Sequence, residues 1–444
     1  MAGALALLLA HGDARAAAAL ESIASQAAKT LTAPTGPGAV GTLVVAAPLA
    51  SDVPAPRAEE LAERVAQLVA GALGGTTHAA PQPVGLAQAR ALAGKGGARL
   101  VFAQPAIAKG MLRVTLDAYP ATSNGWDRVR NPEPPPSAHG FAEAPVDAEV
   151  RAFLASIALE HASVHRATHD EGDVLAAACG DLDGDGGMEL VLVSRTRVAA
   201  GHIRGGRFVP AKTTLWSALA PRAAVPLREP LGGASIVLPR GEDRAKLLVG
   251  ITDRGAVALD SSLARTGPLR GIPVPFGSAN DACAVPSPDA SAFEGSVIPC
   301  LSGLPGLLGA TTAAGSLSTP PRFDAASFAD LVRADGLSRL AQLAREPGGR
   351  LLVRVGDATQ TLDNVGAQIA LGDLDQDGVP EIIASAADGE DAITVTSWDG
   401  TADPRPRLRL PAPGGVRAVG VCPPEEGGAP ALVAVVGSEV WIVR

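Results

Sequence analysis

The chain has 444 residues, too many for one small core and enough for two domains. Its net charge of −9, with no block of Lys or Arg anywhere, argues against a nucleic-acid binder, and 3% aromatic residues supply no stacking platform for bases. High Gly (51) and Pro (37) beside abundant Ala, Val and Leu suit many short strands joined by turns.

The chain opens on an apolar run, Met1 to Ala10, followed by Ala14-Arg15-Ala16, which has the A-x-A form of a cleavage site. No Lys or Arg precedes the run, a departure from an ordinary signal, and a buried helix is the rival reading. Residues 1–16 are expected to be an export signal, which would place the mature chain in the periplasm or at the cell surface. No other segment reaches the ~20 apolar residues of a membrane span. Four cysteines without a C-x-x-C pair fit an oxidising compartment. Cys283 and Cys300 lie in neighbouring predicted strands and suit a disulfide. Cys179 and Cys422 stand near the first and last repeated units, where a bridge would staple a ring shut; free buried thiols are the alternative.

Residues 17–40 read as a short helix and a linker, and residues 41–130 as a small α/β domain. In it, Thr42 to Pro48 is a buried strand, and Pro56 opens an amphipathic helix with Leu61, Val65, Leu68 and Val69 on one face, ended by Gly74-Gly75. A second helix covers Leu86 to Leu92, Leu100-Val-Phe102 is a strand, and Leu112, Val114, Leu116 and Ala118 alternate along another. The run Ala89–Val101 and the strand Gly110–Tyr119 resemble the amino-terminal domain of TolB-type and curli-secretion-type periplasmic proteins, a resemblance that implies a docking module without chemistry. Residues 131–160 read as a Pro-rich linker and a helix over Val146–Leu159, with Val150, Phe153, Leu154 and Ile157 on one side.

From residue 161 to 444 the chain reads as six strand-rich units, with seven as the alternative count, at a period near ~45 residues. They centre on two acidic loops, on Ser235–Asp260, Ala282–Leu308, Gly349–Leu362 and Val416–Val443. Val164–Val174 is expected to complete the last unit and protect the sheet edges. The segment Phe323–Arg345 reads as a helical insertion. Trp126, Trp216, Trp398 and Trp441 are scattered and read as packing.

The two acidic loops are Gly180-Asp-Leu-Asp-Gly-Asp-Gly-Gly-Met-Glu-Leu190 and Gly372-Asp-Leu-Asp-Gln-Asp-Gly-Val-Pro-Glu-Ile382. Carboxylates at alternate positions repel one another unless something neutralises them, and a hard cation taking six to eight oxygens does so. Asp181, Asp183 and Asp185 would offer side-chain oxygens, Gly186 the sharp turn, and the Gly187 carbonyl and Glu189 carboxylate the rest. The second set is Asp373, Asp375, Asp377, Gly378, the Val379 carbonyl and Glu381. An EF-hand needs a carboxylate at loop position 12 and flanking helices; here that position is Leu192 or Ala384, with strand-like runs around it. Two calcium loops in β-hairpins are expected, against acidic turns without an ion. The segments Gly180–Val193 and Gly372–Ala384 resemble the FG-GAP or VCBS repeats of integrin-α-like β-propellers, which implies a propeller whose loops bind proteins or glycans.

Catalytic signatures are missing from the sequence. No G-x-S-x-G elbow occurs, and Gly94-Lys95-Gly96-Gly97 lacks the frame of a P-loop and reads as a helix end. His161, His165 and His169 fall at i, i+4 and i+8, so one helix face could hold zinc, but the segment reads better as an exposed interdomain stretch. Asp388-Gly-Glu-Asp391 reads as a solvated turn. The sequence therefore predicts a small α/β domain followed by an all-β propeller: an exported, non-enzymatic, calcium-binding protein that binds protein or glycan at the envelope. The alternatives are a hydrolase or lyase with a site in the central channel, or a periplasmic component of an envelope transport or secretion complex with a partner docked on the α/β part. The small apolar runs Leu175–Cys179 and Val416–Gly420 favour binding over catalysis.

Overall fold

The protein is described from a computed structural model covering residues 19–31, 41–121, 134–220, 227–237, 244–276, 282–301, 319–332, 338–387, 390–424 and 429–444. The expected export signal, Trp126, Asp388 and Gly389 lie outside these residues.

A mixed sheet comes first, in the order Thr77–Ala79, Thr42–Ala46, Arg99–Ala108, Met111–Tyr119, Ala138–Pro145. The first three strands are parallel and the last two antiparallel. Helices α1 (Ala19–Thr30) and α2 (Ala58–Leu73) bury Leu20, Ile23, Leu61 and Val65 with Val101, Val114 and Leu116 of the sheet. Helix α3 (Leu86–Gly96) sets Ala89 and Ala93 against Val45, Leu100 and Phe102 in a separate apolar cluster. It ends where Gly97 turns left-handed at φ 62°, the helix-end reading of the glycine run.

The short helix expected within residues 17–40 is α1, and it is packed into the core. Two expectations need correcting. Residues 131–160 hold the strand Ala138–Pro145, an added edge of the first sheet. The helix expected over Val146–Leu159 is only Ala148–Arg151, started by Asp147 accepting from the Val150 amide, with a single 3₁₀ turn at Leu159–His161. Val150, Leu154 and Leu159 are still buried, but by separate turns of irregular chain.

The remaining residues are almost wholly β, in a propeller-like arrangement. Four separate four-stranded antiparallel sheets follow one another along the chain, and an eight-stranded sheet joins the first and last strands of this β region. Within the eight, Val174–Gly180, Glu189–Ser194, Arg197–Arg204 and Arg207–Leu215 form one meander. Val416–Cys422, Ala431–Val436 and Glu439–Val443 pair with the earlier strand Val164–Thr168 to form the other. A single pair, Arg207 with Thr168, connects the halves. The segment expected as a helix at Phe323–Arg345 instead contributes the strands Arg322–Phe323, Ala325–Val332 and Ser338–Arg345.

The first strands of the meanders face one another around an axis, and they approach so closely that small residues are required. A Cβ built on Gly233 would lie 1.8 Å from the Pro273 carbonyl oxygen. The axial cavity measures about 130 Å³ and is lined by residues such as Ala176, Gly232, Ala326, Gln368 and Ala418. Trp216, Trp398 and Trp441 are buried. Both cysteine pairs are bonded, Cys179–Cys422 and Cys283–Cys300. Among the described residues, no helix is long and apolar enough to cross a membrane.

Candidate metal centres in two hairpin loops

Each acidic loop links the first two strands of a meander, Val174–Gly180 to Glu189–Ser194 and Val365–Gly372 to Glu381–Ala386. The register closes each loop the same way: Gly180 faces Glu189, and Gly372 faces Glu381. The glutamate that opens the second strand therefore points back over the loop and takes the amide two residues past the preceding glycine. Glu189 Oε2 accepts from Leu182 N at 2.7 Å, and Glu381 Oε2 from Leu374 N at 2.7 Å.

The third aspartates repeat this likeness, and the first aspartates do so in part. Asp181 accepts from the amides of Gly184 and Gly186, and Asp373 from those of Asp377 and Gly378. Asp185 Oδ1 takes the Gly187 amide and Asp377 Oδ1 the Val379 amide, each at 2.7 Å. Gly186 and Gly378 have φ of 84° and 80°, the turn that needs glycine.

The structure brings Asp181, Asp183 and Glu189 together, and likewise Asp373, Asp375 and Glu381; in each group one oxygen per residue lies within 4.8 Å of the others. Asp185 and Asp377 fall outside these groups, each with one oxygen committed to the loop backbone. Among the carboxylates of the two loops, two buried oxygens have no hydrogen-bond partner, Glu189 Oε1 and Asp375 Oδ1. His202 Nε2 stands 3.6 Å from the former.

The second loop is the more enclosed. Burial, with Asp377 and Asp375 close by, pushes the Asp373 carboxyl up to about 7. Burial and then Asp375 raise Asp377 to about 6, and the same causes hold Glu381 well above the usual carboxylate range. Carboxylates crowded in this way, with unused buried oxygens, suit a hard cation that accepts only oxygen ligands.

Around the second loop stand residues that the motif does not include. Arg407 Nη1 is 3.1 Å from Asp375 Oδ2, and Ser397 Oγ donates to Glu381 Oε1 at 2.7 Å. Gln376 bonds to Arg151 and to the Val146 carbonyl. One signal for this was visible in the sequence, since Gln376 stands where the first copy has Gly184.

The three histidines do not form a site. His161 ends a 3₁₀ turn, His165 lies on the strand Val164–Thr168, and His169 is buried beyond it, accepting from the Glu171 amide. The three lie in different elements, and in extended chain positions four apart are about 13 Å from one another, too far to share an ion. The axial cavity carries Asp324 and Arg417 as its charged lining, and Asp324 is already paired with Arg345.

No family model matches the chain, and no curated protein matches it. Among solved structures, AofleA from Arthrobotrys oligospora is 13% identical, with 65% of this chain and 89% of that one covered and a TM-score of 0.37. The Dos1 propeller is 11% identical over 78% of this chain and 79% of its own, with a TM-score of 0.31. BBS1N in complex with ARL6DN is 11% identical over 76% and 87%, with a TM-score of 0.30. Superpositions this loose carry no functional argument.

Proposed function

We propose that the chain is a non-enzymatic, calcium-binding β-propeller protein of the FG-GAP/VCBS kind, exported to the periplasm or cell surface, where it binds protein or glycan. The observation that carries this reading is the recurrence of one oxygen-rich loop in two hairpins: the glutamate-to-amide bond and the Asp185 and Asp377 bonds occur in both, and each loop has a buried carboxylate oxygen left unpartnered, Glu189 Oε1 in one and Asp375 Oδ1 in the other. Asp181, Asp183 and Glu189 would hold one ion and Asp373, Asp375 and Glu381 the other. The Gly187 and Val379 carbonyls, with Asp185 and Asp377, would complete the shells. The ion's part is charge neutralisation, which fixes the first turn of each meander.

The eight-stranded sheet is read as two blades joined edge to edge, which gives six blades with the four separate sheets. The first sheet and its helices are read as a small α/β domain. A binding role is supported by the axis, where closely packed Ala and Gly leave a cavity of about 130 Å³ without converging acid–base groups. Two disulfides suit an oxidising compartment.

Thermal unfolding of the full chain with calcium and with a chelator tests the reading. A ligand that binds only the folded form stabilises it by roughly 2.7 kcal/mol at a hundredfold excess over its dissociation constant. The expected result is a calcium-dependent rise in Tm that shrinks in Asp183→Ala and again in Asp375→Ala. Identical Tm values with and without calcium in the unmodified chain would remove the support for both sites.

A further inference from the structure

The two loops share their glutamate-to-amide and third-aspartate bonds but differ in what covers them. In the first, Asp181 and Asp183 are exposed. In the second, the matching Asp373 is half-buried and Asp375 is 3% exposed. The cover is the segment that leads from the first sheet into the ring, residues 146–161.

Three contacts hold it down. Gln376 Nε2 donates to the Val146 carbonyl at 3.3 Å, and Gln376 Oε1 accepts from Arg151 Nη2 at 2.8 Å. Arg407 reaches both ways, with Nη1 3.1 Å from Asp375 Oδ2 and Nε donating to Glu160 Oε1 at 2.7 Å. Beneath these, Leu159 shares an apolar cluster with Leu374 of the loop. Gln376 makes its contacts from a left-handed backbone, φ 58°, at the place filled by Gly184 (φ 81°) in the first loop. A side chain is disfavoured there, so its presence in one copy points to a task that the other copy lacks.

We propose, resting on the reading of both loops as calcium sites, that residues 146–161 are a lid that locks the ion into the second loop. The two sites then share a ligand pattern but not an exchange rate. The first loop exchanges its ion directly with solvent, and the second does so only when the Gln376, Arg151 and Glu160 contacts release together. Occlusion slows entry and exit alike, so the difference is kinetic and requires no difference in affinity.

The test uses the full chain loaded with calcium and freed of excess. Equilibrium dialysis first counts bound ions, and stopped-flow mixing with an excess of fluorescent chelator then follows their release. The expected result is two ions per chain leaving in two phases, the fast one absent in Asp183→Ala and the slow one absent in Asp375→Ala. Gln376→Gly removes both amide contacts and places glycine at a φ it favours, so it should keep its Tm. It should quicken the slow phase about tenfold, the change expected from losing one charge-assisted hydrogen bond, and leave the fast phase alone. Arg151→Ala should act in the same direction. Two bound ions that leave in a single phase, or a slow phase unmoved by both lid variants, would overturn the lid while leaving the calcium sites standing. A single bound ion insensitive to Asp375→Ala would overturn it too. No bound calcium at the dialysis step would refute the calcium reading itself.

Discussion

Glu149 is a carboxylate in an unfavourable place. It is 9% exposed, and its Oε2 has no hydrogen-bond partner. Burial raises its pKa, Asp147 and Glu21 add to the rise, and Arg64 and the Leu20 amide oppose it. For an acid whose folded pKa lies above its unfolded value, the folded state holds its proton longer. Stability is therefore greatest below the unfolded pKa and falls as pH rises toward the folded one. Glu149→Gln cannot ionise and should raise Tm at pH 7 by on the order of 1 °C, with the difference vanishing near pH 4. A variant that melts lower at pH 7 would show that the contacts to Arg64 and Leu20 outweigh the burial. Residues of this kind are invisible in a sequence because their cost is set by what surrounds them. The loop carboxylates were legible for the opposite reason, since their spacing along the chain already implies a shared centre. Gln376 lies between these cases: its departure from Gly184 could be read, but its partners Arg151 and Val146 are more than two hundred positions away.

The hardest elements to foresee were strands buried on both faces. Phe323–Arg345 is rich in Ala, Leu, Asp and Arg and shows apolar residues at helix-like intervals, so local propensity favours a helix. In the ring, Ala341 and Leu343 face one apolar cluster, and their neighbours Gln342 and Ala344 are buried as well. Burial on both faces erases the alternation by which a strand is recognised, and tertiary pairing overrides propensity. Arg345, buried within the same segment, is held by Asp324 and the Val365 carbonyl. Phe328 shows what these strands contribute. Fully buried, it pairs with Phe276 at 5.7 Å between ring centroids, and their backbones form a bridge between adjacent sheets. Phe328→Ala should cost about 3–5 kcal/mol, the range for a large aromatic side chain removed from a core. Denaturant unfolding of the full chain measures it. A loss below about 1 kcal/mol would mean the two sheets do not depend on this contact.

At the scale of the whole molecule the problem is closing a ring built from a linear chain. Val164–Thr168, from before the first meander, pairs with Glu439–Val443 from the end of the chain, so both ends of the ring enter one sheet. The Cys179–Cys422 disulfide ties together the strands Val174–Gly180 and Val416–Cys422 from the same two ends, across a sequence separation of 243. The second bridge, Cys283–Cys300, spans 17 and lies within one sheet region. The Cys283–Cys300 pairing was legible from the neighbouring strands that carry it, whereas Cys179–Cys422 stayed open against free thiols because it depends on how the two ends of the ring meet. Their relative worth follows from the unfolded chain, where a crosslink removes more entropy the longer the loop it closes. The chain-entropy relation gives about 5 kcal/mol for the long bridge and about 3 kcal/mol for the short one, both upper values because compact unfolded chains retain contacts. Cys179→Ala with Cys422→Ala should therefore lower the guanidinium midpoint more than Cys283→Ala with Cys300→Ala. Strand pairing alone still closes the ring in the first double variant, so it should fold and unfold cooperatively at a lower midpoint. If the short bridge proves the more valuable, the stabilisation comes from local packing around Cys283 and Cys300, and the hydrogen bonds of Val164–Thr168 hold the ring closed without help.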